Sequence, residues 1–312
     1  TTEINLLDDD FKYPQTWRSN LAIDQDLPFG FIATAEALYS SSINEVVFEN
    51  INIEQSASSA YGRPVYGTKV DERFTNALLL KNSNKGYEYS LTGQIQRRVP
   101  NGLSGSLSYT YSRAENVNNG TSSRAISNWQ FNENVDVNNP DIGTADFERR
   151  HRVLLNLDYR LEYLDRFATS IGLIYEGRSG SPFSWIYAGD ANADGQRFND
   201  LVYVPENERD VVLRSDNWEL MDAFIESEDG LDEFRGGFAD RNSARDPWEN
   251  ILDVRLNQEI ATFQGQRIEI TAVVENFLNL LNPDWGEIQF SRFNNNNAWA
   301  IVDESEAGGV YV

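Results

Sequence analysis

The chain of 312 residues is long enough for one large domain or two small ones, and it has no cysteine and a single histidine, His151, which removes disulfide frameworks, cysteine metal sites and most imidazole-based catalysis. Its formal net charge of −23 repels nucleic-acid phosphates, so DNA and RNA are excluded as partners while calcium and cationic ligands are favoured. No run of ~18 apolar residues offers a transmembrane helix and no signal peptide is visible in the polar start at Thr1, so one was removed or lies upstream, but a mean hydropathy of −0.52 leaves open a β-barrel, whose membrane signal lies in alternation.

Period-two alternation recurs along the chain and predicts about eight strands. Over residues 17–26, Leu21 and Ile23 oppose Arg18, Asn20 and Asp24. A Pro28-Phe29-Gly30 turn leads to a strand over residues 31–48, then a long polar stretch, residues 49–84. Tyr87, Tyr89, Leu91 and Ile95 oppose Glu88, Ser90, Thr92, Gln94 and Gln96. After Pro100-Asn101-Gly102, one face carries Leu103, Gly105, Leu107, Tyr109 and Tyr111, and the other Ser104, Ser106, Ser108, Thr110 and Ser112. Residues 115–148 form a second long loop. Val153, Leu155, Leu157, Tyr159 and Leu161 then oppose Leu154, Asn156, Asp158 and Arg160. Leu164-Asp165-Arg166 turns the chain into a strand over residues 167–177. The longest loop, residues 178–247, follows. Leu252, Val254, Leu256 and Ile260 oppose Asp253, Arg255, Asn257 and Glu259. After Gln264-Gly265-Gln266, Ile268, Ile270, Ala272 and Val274 oppose Arg267, Glu269, Thr271 and Glu275. Residues 278–312 read as a last long loop.

Short and long connections alternate strictly, as in membrane barrels with short periplasmic turns and long external loops. The expected fold is therefore all-β: an antiparallel transmembrane outer-membrane β-barrel, present as part of the wall. The apolar faces meet lipid. Arg18, Asp24, Glu88, Gln94, Asp158, Arg160, Asp253, Arg255 and Glu259 line the lumen. Aromatics near strand ends suit interfacial girdles, with Trp17, Phe29 and Phe31 near one turn, Tyr109 and Tyr111 at an upper end and Trp248 at a strand start; the competing explanation is ordinary β-propensity. Within the longest loop, residues 217–234 read as a helix, with Trp218, Met221, Phe224 and Ile225 at helical spacing and Ser215 or Asp216 as cap.

The sharpest local motif is Asp190-Ala191-Asn192-Ala193-Asp194-Gly195-Gln196, followed by Asn199 and Asp200. Oxygen ligands fall at positions 1, 3 and 5 of an EF-hand-like calcium loop, Gly195 makes the sharp turn and the Gln196 carbonyl sits at position 7. Position 12 is Leu201 rather than Glu, and Asp200 would substitute. The competing reading is an Asx-rich turn without metal. The run Arg149-Arg150-His151-Arg152, beside Asp146 and Glu148, reads as an electrostatic seam near the barrel rim. Carboxylate clusters such as Asp8-Asp9-Asp10 read as solvated loop charge, and the Asn-rich residues 116–119 and 294–297 as turns. No catalytic residue is expected.

Phrases spread over most of the chain resemble the C-terminal barrel of TonB-dependent receptors, and among them the Oar-like group with a carboxypeptidase-regulatory-like domain. They are Phe11-Lys12-Tyr13-Pro14-Gln15-Thr16-Trp17-Arg18, Leu79-Leu80-Lys81-Asn82-Ser83-Asn84-Lys85-Gly86-Tyr87, Ser108-Tyr109-Thr110-Tyr111-Ser112-Arg113-Ala114, Phe147-Glu148-Arg149-Arg150-His151-Arg152, Gly189-Asp190-Ala191-Asn192-Ala193-Asp194-Gly195, Asn199-Asp200-Leu201-Val202-Tyr203-Val204-Pro205 and Asn276-Phe277-Leu278-Asn279-Leu280-Leu281-Asn282. The resemblance implies energy-coupled passage of a bulky substrate through a plugged lumen in the bacterial outer membrane. Its partners would be lipid, a plug domain, the remaining barrel strands, a TonB-type energising protein and surface lipoprotein or secretion partners. Residues 1–312 would then be the C-terminal part of the barrel domain. The family's plug and TonB box would precede Thr1, and its barrel normally ends on an aromatic-tipped strand, whereas Gly309-Val310-Tyr311-Val312 read as loop. The rival functions are a barrel subunit scaffolding a surface or secretion complex, and a secreted carbohydrate-binding or hydrolytic β-sandwich.

Overall fold

A computed structural model describes residues 2–59, 61–164, 166–213, 217–291, 297–299 and 310–311. Ten strands carry the architecture: β1 (Thr2–Leu7), β2 (Gln15–Leu27), β3 (Phe31–Asn50), β4 (Phe74–Ser83), β5 (Tyr87–Arg97), β6 (Gly102–Asn116), β7 (His151–Tyr163), β8 (Phe167–Arg178), β9 (Glu249–Ala261) and β10 (Arg267–Val274). With the short strand Gly143–Thr144, they form an 11-stranded sheet.

Within that sheet, β2-β3-β5-β6-β7-β8-β9-β10 form a continuous antiparallel wall. These are the eight strands that alternation predicts. The register places like faces together. Leu107 opposes Leu155, which opposes Tyr175; Leu157 opposes Leu173, which opposes Val254 and then Val274. One residue along, Ser106 opposes Asn156, and Asp158 opposes Gly172, which opposes Arg255. A one-residue slip would exchange the two faces, so the alternation fixes the pairing.

The wall turns are tight. Phe29 and Gly30 have φ of 65° and 75°, and Gln264 and Gly265 have 57° and 77°. Two successive positive φ values match the right-handed twist of the flanking strands, and glycine takes such a position without strain.

Three readings need correction. Residues 49–84 are not all loop. Glu45–Asn50, the upper end of β3, leaves the wall to pair antiparallel with β4, and β1 adds to β4 in parallel. Trp17 does not lie near the Phe29–Phe31 turn. It opposes Ser41, at the end of the hairpin far from the turn, whereas Phe31 opposes Leu27 beside it. The helix over 217–234 is shorter: α2 spans Trp218–Ser227 and a 3-10 turn covers Asp232–Phe234. The Asn217 side chain accepts the Leu220 N–H as its cap, and Ser215 and Asp216 lie outside the described residues. So do residues 292–296, 300–309 and Val312, with most of the last predicted loop, although Asn297–Trp299 pairs in parallel with the stretch around Ile186–Tyr187.

The long connections all rise from one end of the wall and pack into a mass with its own interior. Tyr187, Val202, Val204, Val211, Ile225, Leu231 and Ala239 form one buried cluster. Phe48, Tyr66, Leu78, Ile126, Trp129 and Val137 form another, joining β3, β4 and the short helix α1 (Ala125–Gln130). By the short-turn, long-loop rule this module is external.

Candidate functional site

The polar face of the wall is its first functional surface. Its charges are paired across strands, either between neighbours or over β8 from β7 to β9. Arg160 spans to Glu259 with Nη2–Oε2 at 3.0 Å, and Arg267 reaches the same carboxylate at 3.1 Å. Arg152 meets Glu176 at 2.8 Å, Arg178 meets Glu249 at 2.6 Å and Arg255 lies 3.6 Å from Asp158. Hydroxyl and amide contacts continue the pattern: Thr34 donates to Asp24, Asn20 to Glu36, Asn156 to Ser106 and Thr271 to Asn257. Such cross-strand pairs stabilise a sheet and suit a water-filled interior. Apolar side chains interrupt the face: Ile174 and Val273 share it with Asp158 and Arg255 and are exposed. They help line a cavity of about 500 Å³ with Gln96, Ser104, Asn156 and Glu275.

The opposite face is apolar and outward. Leu107 and Tyr109 are both 46% exposed, and Leu256, Ile268 and Ile270 are exposed beside them. A water-facing sheet does not leave such a band uncovered; a lipid-facing one does. Two aromatic belts border it. At the external end, Trp17 and Tyr39 meet edge-on at 6.0 Å, Tyr89 and Tyr111 lie 6.1 Å apart, and His151 Nδ1 is 2.7 Å from the Tyr109 hydroxyl. Tyr175 and Trp248 follow along the same rim, both donating to Asn250 Oδ1. At the turn end, Tyr163 stacks on Phe167 at 5.7 Å. Rings with a polar tip favour the membrane–water boundary.

The rim also carries the expected electrostatic seam. Buried Glu148 accepts from the Ala114 N–H at 2.9 Å and from Arg150 at 3.1 Å, and it pairs with Arg245. His151 is part of the aromatic belt, its ring lying against Tyr109 and Tyr111.

The Asp190 motif folds into a closed turn in the external module. Asp190 Oδ1 accepts the Asp194 N–H and Oδ2 the Gly195 N–H. Asn192 Oδ1 also accepts from Asp194 N–H, and Asp194 Oδ1 accepts from Gln196 N–H at 2.7 Å. Ala193 and Gly195 take positive φ to close it. Asn199 Nδ2 donates to Asp194 Oδ2 at 2.8 Å. The motif residues are therefore brought together, and Asn192, Asp194, Asn199 and Asp200 are buried. Burial pushes the Asp194 carboxyl up to about 6 and that of Asp200 up to about 7, the latter against the opposing pull of Arg63. Among the described residues, no three His, Cys, Asp or Glu side chains are placed to hold a metal by themselves.

Asp200 has a partner that sequence reasoning missed. Its Oδ1 lies 3.0 Å from Arg63 Nη1, with both side chains fully buried. Its Oδ2 accepts the Ala191 N–H. Arg63 also donates to the Leu201 carbonyl and lies 4.7 Å from the Phe238 ring and 5.5 Å from that of Tyr187. An arginine 137 residues away in sequence leaves no local trace beside the motif.

The family model described as "Outer membrane beta barrel domain" matches residues 1–297. No curated protein and no solved structure matches the chain. The match spans nearly the whole sequence and agrees with the lipid-facing band, the paired belts and the polar inner face. The chain belongs to the outer-membrane β-barrel domain family, and its place is the outer membrane.

Proposed function

We propose that this wall is part of a TonB-dependent transporter, in which a plug domain fills a wide lumen and an energising protein drives passage of a bulky substrate. The observation that carries the reading is that eight wall strands run side by side without closing: among the described residues, β2 and β10 each pair along one edge only. A closed eight-stranded barrel fills its interior with side chains. Here the charged inner face faces open space, as an arc of a wider ring would. Hydrocarbon does not tolerate free strand edges, because each unsatisfied backbone group costs several kcal/mol. Further strands must therefore complete the ring, and rings of ~22 strands hold a plug. Ile174 and Val273 give a plug something apolar to rest on. The phrase-by-phrase resemblance to TonB-dependent, Oar-like receptors supports the energy-coupled form of this function.

Single-channel recording on the full-length protein in planar bilayers tests it. The transporter reading expects an almost silent membrane that opens to a wide pore when mild denaturant unseats the plug. It also expects the native protein to cross-link to a TonB-type partner. A lumen that stays blocked under those conditions, held by a different protein, would overturn this reading in favour of a scaffolding barrel in a surface or secretion complex.

A further inference from the structure

We propose that the turn at residues 190–199 is a calcium site that locks the external module, with Asp190, Asn192, Asp194, the Gln196 carbonyl and Asn199 as its oxygen donors. Two observations meet there. The first is a gathering of carboxylates: Asp190 and the buried Asp194 close the same turn, and the buried Asp200 behind them is paired with Arg63.

The second is independent of the carboxylates. Asn199 is 1% exposed, and its Oδ1 has no hydrogen-bond partner although the other end of the same amide sits 2.8 Å from Asp194 Oδ2. Leaving a buried amide oxygen without a donor is unfavourable, because its desolvation is not compensated. The two ends of an amide exchange by a half-turn about χ2. That rotation puts Oδ1 beside the Asp194 carboxylate, an arrangement that repels unless a cation lies between the two oxygens.

The donor chemistry selects the ion. Two carboxylates, two side-chain amides and a backbone carbonyl are hard oxygen ligands, with neither imidazole nor thiolate, which suits calcium over zinc or copper. Magnesium demands near-ideal octahedral geometry and keeps its waters, whereas a turn offering amide and carbonyl oxygens in irregular directions fits the larger ion. Asp200 does not act as the missing twelfth-position ligand. Tied to Arg63 and to the Ala191 N–H, it instead fixes the base of the turn to the segment around residues 63–66, where the Tyr66 N–H donates to the Asn192 carbonyl at 2.7 Å.

Tyr66 also supplies the probe. Terbium at a calcium site emits when a nearby tyrosine is excited, so titration of the full-length protein in outer-membrane vesicles reads the site directly. The expected result is tyrosine-sensitised emission displaced by calcium at ~10⁻⁴–10⁻³ M, the range of extracellular modules, and displaced at least tenfold less readily by magnesium. Asp194→Asn and Asn199→Leu should each weaken calcium displacement tenfold or more, while Glu228→Gln, remote from the turn, leaves it unchanged. Two results would overturn the proposal. One is wild-type protein giving no calcium-displaceable emission, which needs no variant to fold. The other is Asn199→Leu titrating like wild type, which would leave the turn held by its own hydrogen bonds alone.

Discussion

Arg63 and Asp200 show how much one buried pair can hold. Removing one partner of a fully buried ion pair strands the other and costs ~3–5 kcal/mol, whereas replacing both with apolar groups of similar volume is often neutral. Arg63→Ala should therefore open the external module, seen as rapid protease cleavage between Tyr187 and Pro205, while the combined Arg63→Met and Asp200→Leu change restores most of the resistance. Glu133 adds a pH dependence of known sign. Burial, with Asp146 nearby and Arg241 opposing, raises its carboxyl to about 7 from an ordinary 4.5. The folded module then holds a proton that the unfolded chain releases. Its stability falls as pH rises through the window from 4.5 to 7 and is flat above it. Glu133→Gln should flatten that window and make the module more protease-resistant at pH 8; an unchanged pH profile would show the group to be solvated. Of the candidate site, the Asp190–Gln196 turn was legible because every contact in it lies within five residues. Arg63 and the isolated oxygen of Asn199 were not, since they arise only when distant loops pack.

Alternation made the wall strands readable, because each has one face in lipid and one in water. Leu155→Arg, near mid-membrane, should cost ~2–4 kcal/mol, measured by denaturant unfolding in vesicles. Cysteines at Leu107, Tyr109, Leu155, Leu157, Val254 and Ile270 should react with lipid-soluble reagents. Those at Ser106, Ser108, Asn156, Asp158, Arg255 and Glu269 should react with water-soluble ones; equal labelling of both sets would refute the two-faced wall. β4 escaped this logic for a physical reason. It lies between β1 and β3 and packs under the cluster containing Trp129, so the consecutive residues Ala77 and Leu78 are both buried and no period of two exists. Trp17 was misplaced because composition marks a girdle residue without saying which of the two belts it joins. Only the register across β2 and β3 decides that.

At the scale of the molecule, the described residues form an open wall carrying a folded module. Refolded by itself in detergent, a chain with two free edges should not yield a heat-modifiable monomer; recovery of one would mean that the edges find each other. The outline of the wall was visible in the rhythm of short and long connections, but the interior of the module was not, since its contacts join loops far apart in the chain. Arg241 embodies this: buried, it bonds Val117, Asn132, Asn116 and Gly143, at separations of 98 to 125 residues. Separation sets tempo as well as architecture. The hairpins of the wall close short loops, whereas Arg241 must wait for β7, β8 and the chain between them to be in place, and closing a long loop costs entropy before any contact repays it. During biogenesis the membrane-spanning hairpins can therefore zip one after another while the external segments are still unstructured and thin enough to be passed across. By that ordering the contacts of Arg241 form after the hairpins of the wall.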